Sequence, residues 1–382
     1  GFPFTPRLHG TIDFRRSDRQ YTLGILQEAL PVETDGWSYA LDATTKFLNR
    51  VRGQTCPASR ADIRNDKLAH GGPASEASVP AWLEDVAPEM VSLARVLGVR
   101  TAEMHHALSK ATDPSLQPVE APRNAGSQLV NRIQREAKET REMLGPADYL
   151  SPKTTVADAG DAPDAEADDD ASRPPSEGAW AVAYTRLYSL RGHGSDHQRI
   201  RIHGDYHLGQ VLRADGDFYL LDFEGEPTRP LEERRRHENA LRDVAGMLRS
   251  LEYAVLAAWQ DETETAPAFA DWTDALLHAA QVTFLDAYAD TAGDADFLPP
   301  QSSRYDFLWA FLFDKVLYEV RYELNHRPSW AWLPIRGLQR LLGMSDRATP
   351  DTAGDGSAPD APTPARASGE DGPGNGVQSG MT

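Results

Sequence analysis

The chain has a single cysteine, Cys56, among 382 residues. That excludes an internal disulfide framework and fits a reducing, cytoplasmic setting; Cys56 lies in a polar stretch without a basic partner pattern and is assigned no role. Lysine is also scarce. Lys46, Lys67, Lys110, Lys138, Lys153 and Lys315 are the only ones, so most of the 39 basic residues are arginine. Against 58 acidic residues the formal net charge is −19. A field of that sign repels phosphate and argues against nucleic-acid or anionic-membrane partners, although a local basic pocket can still hold a nucleotide. No run approaches the roughly 20 apolar residues of a membrane span, and no charged-then-apolar signal peptide opens the chain. The first residue is Gly1 rather than methionine, so the expectation is a fragment or an excised module.

What is present divides into three stretches. Residues 10–14 and 21–27 are rich in strand formers and flank the charged turn Arg15-Arg16-Ser17-Asp18-Arg19, which predicts a hairpin. From Trp37 onward apolar residues recur at three and four, predicting helices over 38–50, 79–96, 101–110, 127–144 and 179–190. Residues 154–177 turn into Asp, Ala and Pro and lack the apolar content to offset ordering entropy, so a disordered acidic insertion is expected there. The tail, 345–382, is similarly rich in Gly, Pro, Ser and Asp and is expected to be disordered too. Between these, longer helices are predicted over 231–259, 272–290, 304–326 and 332–342. The fold class is α+β, mostly α, with small β elements.

One segment carries chemistry: Ile202-His203-Gly204-Asp205-Tyr206-His207-Leu208-Gly209-Gln210 through Leu221-Asp222-Phe223-Glu224-Gly225-Glu226-Pro227. Residues 210–213 and 218–221 are short apolar runs around Ala214-Asp215-Gly216-Asp217, and an Asp-Gly pair between such runs is a strong hairpin signal. A hairpin sets its outer ends side by side, which brings Asp205, Gln210 and Asp222 to one place. A phosphoryl-transfer site needs a carboxylate to orient and deprotonate the attacking hydroxyl, and oxygen ligands for Mg²⁺ on the nucleotide phosphates. Asp205 precedes Gln210 by five, the spacing between base and metal ligand in kinase catalytic loops. His203 and His207 stand four apart, but Gly204 and the strand-like run after it oppose the helix that a zinc pair would require.

These residues resemble the aminoglycoside-phosphotransferase-like kinases of the protein-kinase-like superfamily, and among them the maltokinases. Gln210 in place of asparagine and the run Asp222 to Pro227 carry the closer resemblance. So do Arg100-Thr101-Ala102-Glu103-Met104-His105, the run Leu241 to Ser250, and Tyr318-Glu319-Val320-Arg321-Tyr322-Glu323. The resemblance implies a protein-kinase-like fold, with residues 1–36 a remnant of the upper lobe and 37–344 the helical lower lobe. It implies Asp205 as catalytic base, Gln210 and Asp222 as magnesium ligands, and His203 as a structural brace for the loop; Glu224 suits a structural role and assistance to the metal equally. Gln27, Glu28 and Leu30 would receive the adenine of ATP along a hinge. His207, Glu319, Tyr322 and Glu323 are candidate sugar contacts, although the helix face that carries the last three equally suits an ion-paired surface. Trp330 and Trp332 read as packing residues.

The implied reaction is transfer of the γ-phosphoryl of ATP to the anomeric hydroxyl of maltose, with trehalose synthase as a fused or associated partner in trehalose and glycogen metabolism. Two alternatives stay open: a non-catalytic module of such a fusion, and a phosphotransferase acting on an aminoglycoside or choline. The sequence departs from the pattern ahead of the hinge. The phosphate-covering loop, strand lysine and helix glutamate of the upper lobe have no counterpart. Lys46 follows the hinge in a helical-looking stretch and cannot be that lysine. Alone, the chain is expected to bind ATP poorly.

Overall fold

A computed structural model of the chain describes residues 2–57, 79–145, 174–194, 196–260 and 266–343, the side chains of 266–269 aside. The tail and most of the acidic insertion, residues 154–173, lie outside the described residues.

The chain opens with an antiparallel ribbon, β1 (Leu8–Arg16) and β2 (Arg19–Gln27), around Ser17 at φ 55°. This is the predicted hairpin, longer at both ends. Then come β3 (Val32–Asp35) and α1 (Gly36–Val51), whose first turn is capped by the Asp35 carboxylate accepting from the Ser38 amide at 2.8 Å. The predicted helix over 79–96 is two helices, α2 (Ala81–Val86) and α3 (Pro88–Ser109). Ala87, at φ −128° and ψ 42°, separates them, because a proline ring crowds an α-helical residue before it while Pro88 itself suits the first position of a new helix. α3 then runs without a break through the region predicted as a separate helix.

The short strand β4 (Val119–Glu120), α4 (Ala125–Leu144), α5 (Glu177–Ser189) and β5 (Gln198–Arg199) follow, with β4 and β5 paired antiparallel. Ser176 caps α5 by accepting from the Ala179 amide at 3.3 Å. The predicted central hairpin is present as β6 (Val211–Ala214) and β7 (Asp217–Leu220), one residue inside the expected ends. Asp215 and Gly216 both take positive φ, 51° and 76°, as a tight turn of type I′ demands. β3 adds to the other edge of β6, giving the order β3-β6-β7. Arg100 of α3 grips Asp217 with Nε at 3.0 Å and Nη2 at 2.6 Å, a forked pair that fixes the hairpin against the helices.

The helix predicted over 231–259 is interrupted. A single turn, α6 (Leu231–Arg234), is separated from α7 (Leu241–Gln260) because Glu238 exchanges backbone hydrogen bonds with Ile200 at 2.9 and 3.1 Å, and Asn239 Oδ1 accepts from the Leu241 amide. α8 (Ala266–Ala292), α9 (Gln301–His326) and α10 (Trp332–Leu341) complete the chain. α7 is the centre of the core: Val244, Met247, Leu248, Leu251 and Val255 are all buried, and the helix packs on α1, α8 and α9. Each such side chain contributes about 1.5–3 kcal/mol when fully removed from water. Among the described residues no helix is long and apolar enough to cross a membrane.

Candidate active site

Residues 203–210 form a loop held from below by one carboxylate. Asp243, on the first turn of α7, accepts the His203 amide at 2.7 Å and the Gly204 amide at 2.9 Å, and His105 Nε2 lies 3.2 Å away. Asp243 is buried, and burial by itself raises a carboxyl pKa. The hydrogen bond and charge of His105, the charge of His203 and the Gly204 amide outweigh it, so its pKa sits below the usual value. The loop lies directly on α7: a Cβ at Gly246 would stand 2.6 Å from the Tyr206 carbonyl oxygen, so only glycine fits there. Tyr206 is anchored on its other side, its hydroxyl 3.0 Å from Thr101 Oγ1.

The two ends of the β6–β7 hairpin meet as the sequence predicts. His203 Nε2 donates to the Leu221 carbonyl at 2.6 Å, and the Leu221 amide donates to the Gln210 carbonyl at 2.9 Å. Gly204, in the left-handed region at φ 84°, is packed so closely that a Cβ there would be 3.2 Å from Gly225 Cα. Asp205 and Asp222 are both near enough to act on the charge of the His203 imidazole. Asp222 itself has φ 53°, a conformation that costs a non-glycine residue of the order of 1–3 kcal/mol and that clusters at functional sites.

The donor chemistry of this group fits magnesium. Two carboxylates and one amide oxygen are hard ligands, and no arginine or lysine nitrogen stands within 4 Å of Asp205 or Asp222 among the described residues. Among those residues no three His, Cys, Asp or Glu side chains could hold a metal by themselves. A nucleotide-bound magnesium needs only one or two protein carboxylates, because phosphate oxygens and water supply the rest.

Asp205 faces a cavity of about 210 Å³ between the loop, α4, α7 and α9. Most carboxylates on its wall are committed. Glu136 bonds Arg321, Asp314 bonds Arg132 at 3.0 Å, and Asp243 holds the loop. Asp205 and Glu226 remain without an arginine or lysine partner among the described residues; Glu226 accepts only from Thr228 Oγ1 at 3.2 Å. Tyr318 completes this side of the cavity, its phenol pushed up to about 12 by burial and by the negative charge of Glu226, so it stays a donor.

Other expected contacts fall elsewhere. Glu319 and Glu323, candidates for either sugar contact or an ion-paired surface, form ion pairs, with Arg249 at 2.8 Å and with Arg327 at 2.7 Å, while Tyr322 stacks on His326. The reason is helix phase: on α9 it is Asp314, Lys315, Tyr318 and Arg321 that turn toward the cavity. Spacing from Tyr318 alone could have found them. Glu226 was also missed, although it follows Asp222 by four and sits in the quoted run. Glu224 is exposed and pairs with Arg234 at 3.3 Å, a structural contact. At the expected hinge, Gln27 ends β2, the Glu28 amide donates to the Arg7 carbonyl at 2.8 Å, and the Leu30 carbonyl accepts from Val32 at 2.9 Å.

His207 accepts the Gly209 amide at Nδ1, 3.0 Å, and its Nε2 is 3.8 Å from Asp205. Burial, with the Lys315 ammonium adding, pushes its pKa down to about 3. His203 is lowered by burial as well. Both are neutral when folded, whereas unfolded histidine takes up a proton near 6.5. Below that value the unfolded state binds more protons, so stability falls as pH falls. Between pH 7 and pH 5 His207 is expected to cost up to about 2 kcal/mol, read as a lower urea midpoint. The variant His207→Gln should show a shallower pH dependence; an identical slope would remove His207 from this account.

No family model matches the chain. It is similar to a glucosamine kinase of Streptacidiphilus jiangxiensis, 36% identical over 180 residues, which are 45% of this chain and 39% of that protein. A glucosamine kinase of Mycolicibacterium smegmatis is 28% identical over 346 residues, 90% of this chain and 68% of that protein. The chain thus spans well under half of the first relative and about two thirds of the second. Among solved structures, a glucosamine kinase in complex with glucosamine, ADP and inorganic phosphate superposes with a TM-score of 0.62 at 25% identity, covering 90% of this chain and 69% of that one. A second crystal form gives 0.61. These names specify glucosamine, where the motifs led to an expectation of maltose. The chain has a sugar-kinase-like fold.

Proposed function

We propose that this chain carries the catalytic loop of an ATP-dependent kinase whose acceptor is an amino sugar of one ring, glucosamine being the first candidate. The observation that carries the reading is the pair of uncommitted carboxylates, Asp205 and Glu226, in one cavity of about 210 Å³. A space of that size suits one hexose ring better than two. Asp205 takes the proton from the acceptor hydroxyl as its oxygen bonds to the γ-phosphorus of ATP and the bond to ADP breaks. Glu226 accepts hydrogen bonds from the sugar ammonium, and the Tyr318 phenol donates to a ring hydroxyl. Gln210 and Asp222 would hold a magnesium ion, which neutralises phosphate charge when bound. The names of the relatives support the acceptor, and the complex that contains ADP supports ATP as donor.

Maltose is the second reading, favoured by the run Asp222 to Pro227 and its resemblance to maltokinases. The test is ADP release by the full-length gene product, measured in parallel with glucosamine, glucose, maltose, kanamycin and choline. Glucosamine should be turned over with the highest kcat/KM. Glu226→Gln should lower kcat/KM roughly ten- to a hundredfold for glucosamine, as expected for loss of a charged hydrogen bond, and little for glucose. Turnover of maltose with glucosamine inert would replace the amino-sugar reading by the maltose one. Absence of ADP release with every acceptor would favour the non-catalytic module.

A further inference from the structure

A second cavity, of about 350 Å³, lies beside the first; where the wall of the first balances carboxylates against cationic groups, that of the second is mostly arginine. It sits between the first turns of α4, the strand β5 and the residues that lead into α7. Arg132, Arg135, Arg199 and Arg236 line it, and the one carboxylate on its wall is Glu238. Guanidinium groups gathered this closely repel one another, and an anion between them relieves that repulsion.

Two donors show what is missing. The Nε–H groups of Arg199 and Arg132 are buried and have no hydrogen-bond partner among the described residues. Buried guanidinium donors without an acceptor carry a desolvation penalty that an anion removes. Arg132 is partly compensated on its far side by Asp314, whereas Arg135, Arg199 and Arg236 have no carboxylate within 4 Å among the described residues. His197 adds no charge. Burial lowers its pKa, and its Nε2 faces the Asn239 amide at 3.1 Å, which places the ring proton on Nδ1 beside Asp196. The N-terminal turn of the twenty-residue helix α4 contributes Ala125 and Gln128 to the wall, so the positive end of a helix dipole adds to the field. Phe307 and Leu129 supply an apolar side against which a small ring can lie.

We infer that this arginine cavity binds a small phosphate monoester. Planar guanidinium forks match a phosphate group in geometry and in its nearly double charge at neutral pH. The volume leaves space for a ring beyond the phosphate, in the range of ordinary ligand sites. The site is separate from the one that holds Asp205, and it does not depend on which acceptor that site takes. Arg132 and Phe311 line both cavities, so they form a common wall.

The test is calorimetric titration of the full chain with inorganic phosphate, a hexose monophosphate and the same hexose without phosphate. The hexose monophosphate should bind saturably, inorganic phosphate should compete with it, and the free hexose should not. Arg236→Gln, at an exposed position, and Arg199→Gln should each weaken binding roughly tenfold or more, with unchanged circular dichroism. Asp222→Ala should leave it unchanged, which separates this cavity from the catalytic one. Equal affinity in wild type and both arginine variants, competition by the free hexose, or loss of binding in Asp222→Ala would each overturn the inference.

Discussion

Asp205→Asn in the complete protein is expected to lower kcat by about two to four orders of magnitude while leaving nucleotide affinity nearly intact, the range that a positioned general base contributes. Asparagine keeps the shape of the side chain and its oxygen, so the loop and the cavity wall should be preserved. What it loses is the ability to take a proton. The structure makes the effect specific: the Asp205 side chain is 12% exposed, faces a cavity, lies 3.8 Å from the neutral His207 ring and has no arginine or lysine partner among the described residues. Steady-state kinetics with the best acceptor, together with nucleotide binding by calorimetry, read both halves. Turnover within a factor of a few of wild type would show that another group deprotonates the acceptor.

Asp243→Ala is expected to cost about 3–5 kcal/mol of stability, the range for removing one partner of a buried charged network. Its carboxylate satisfies the amides of His203 and Gly204 and faces His105 Nε2, and alanine removes the acceptor from both amides and the partner of that ring nitrogen. Asp243→Asn should recover little, because one edge of the amide presents a donor to groups that are donors already. The pH dependence has a definite sign. Asp243 has a lowered pKa in the folded state, so its contribution is complete above the unfolded value near 3.9 and is lost as pH falls through the folded one. Urea unfolding at neutral and acidic pH measures both statements. A loss under about 1 kcal/mol at neutral pH would mean that the loop holds itself.

Residues with a strict local signature were legible in the sequence. Asp215-Gly216 demanded a tight turn whatever the surroundings, and the turn fixed the hairpin and with it the meeting of Gln210 and Leu221 at its open end. The helices were legible where the apolar period was unbroken. They failed where a tertiary contact overrode the pattern, as at Glu238, whose backbone pairs with Ile200 and ends the helix that residues 231–259 suggested. The direction of a helix face was not legible at all for α9. Glu319 and Glu323 share a face with aromatic residues; Arg327, four residues on, takes Glu323, and only the position of Arg249 on α7 decides that Glu319 is ion-paired too. Asp243 was visible merely as a charge at the start of an apolar helix. Its role depends on two amides forty and thirty-nine residues away, a separation that no local pattern records.

The ribbon β1–β2 has a bearing on how the chain behaves in solution. Ile12, Leu23, Ile25 and Leu26 are each more than half exposed, and both outer edges of the ribbon lack a neighbouring strand among the described residues. Such a surface adheres to its own kind by edge extension and by apolar contact. Mutual repulsion between molecules of charge −19 keeps copies apart in dilute buffer, and added electrolyte shortens the reach of that repulsion to about 3 Å at 1 M. Salting is therefore expected to uncover the stickiness of the ribbon, read as turbidity that rises with ionic strength while circular dichroism stays unchanged.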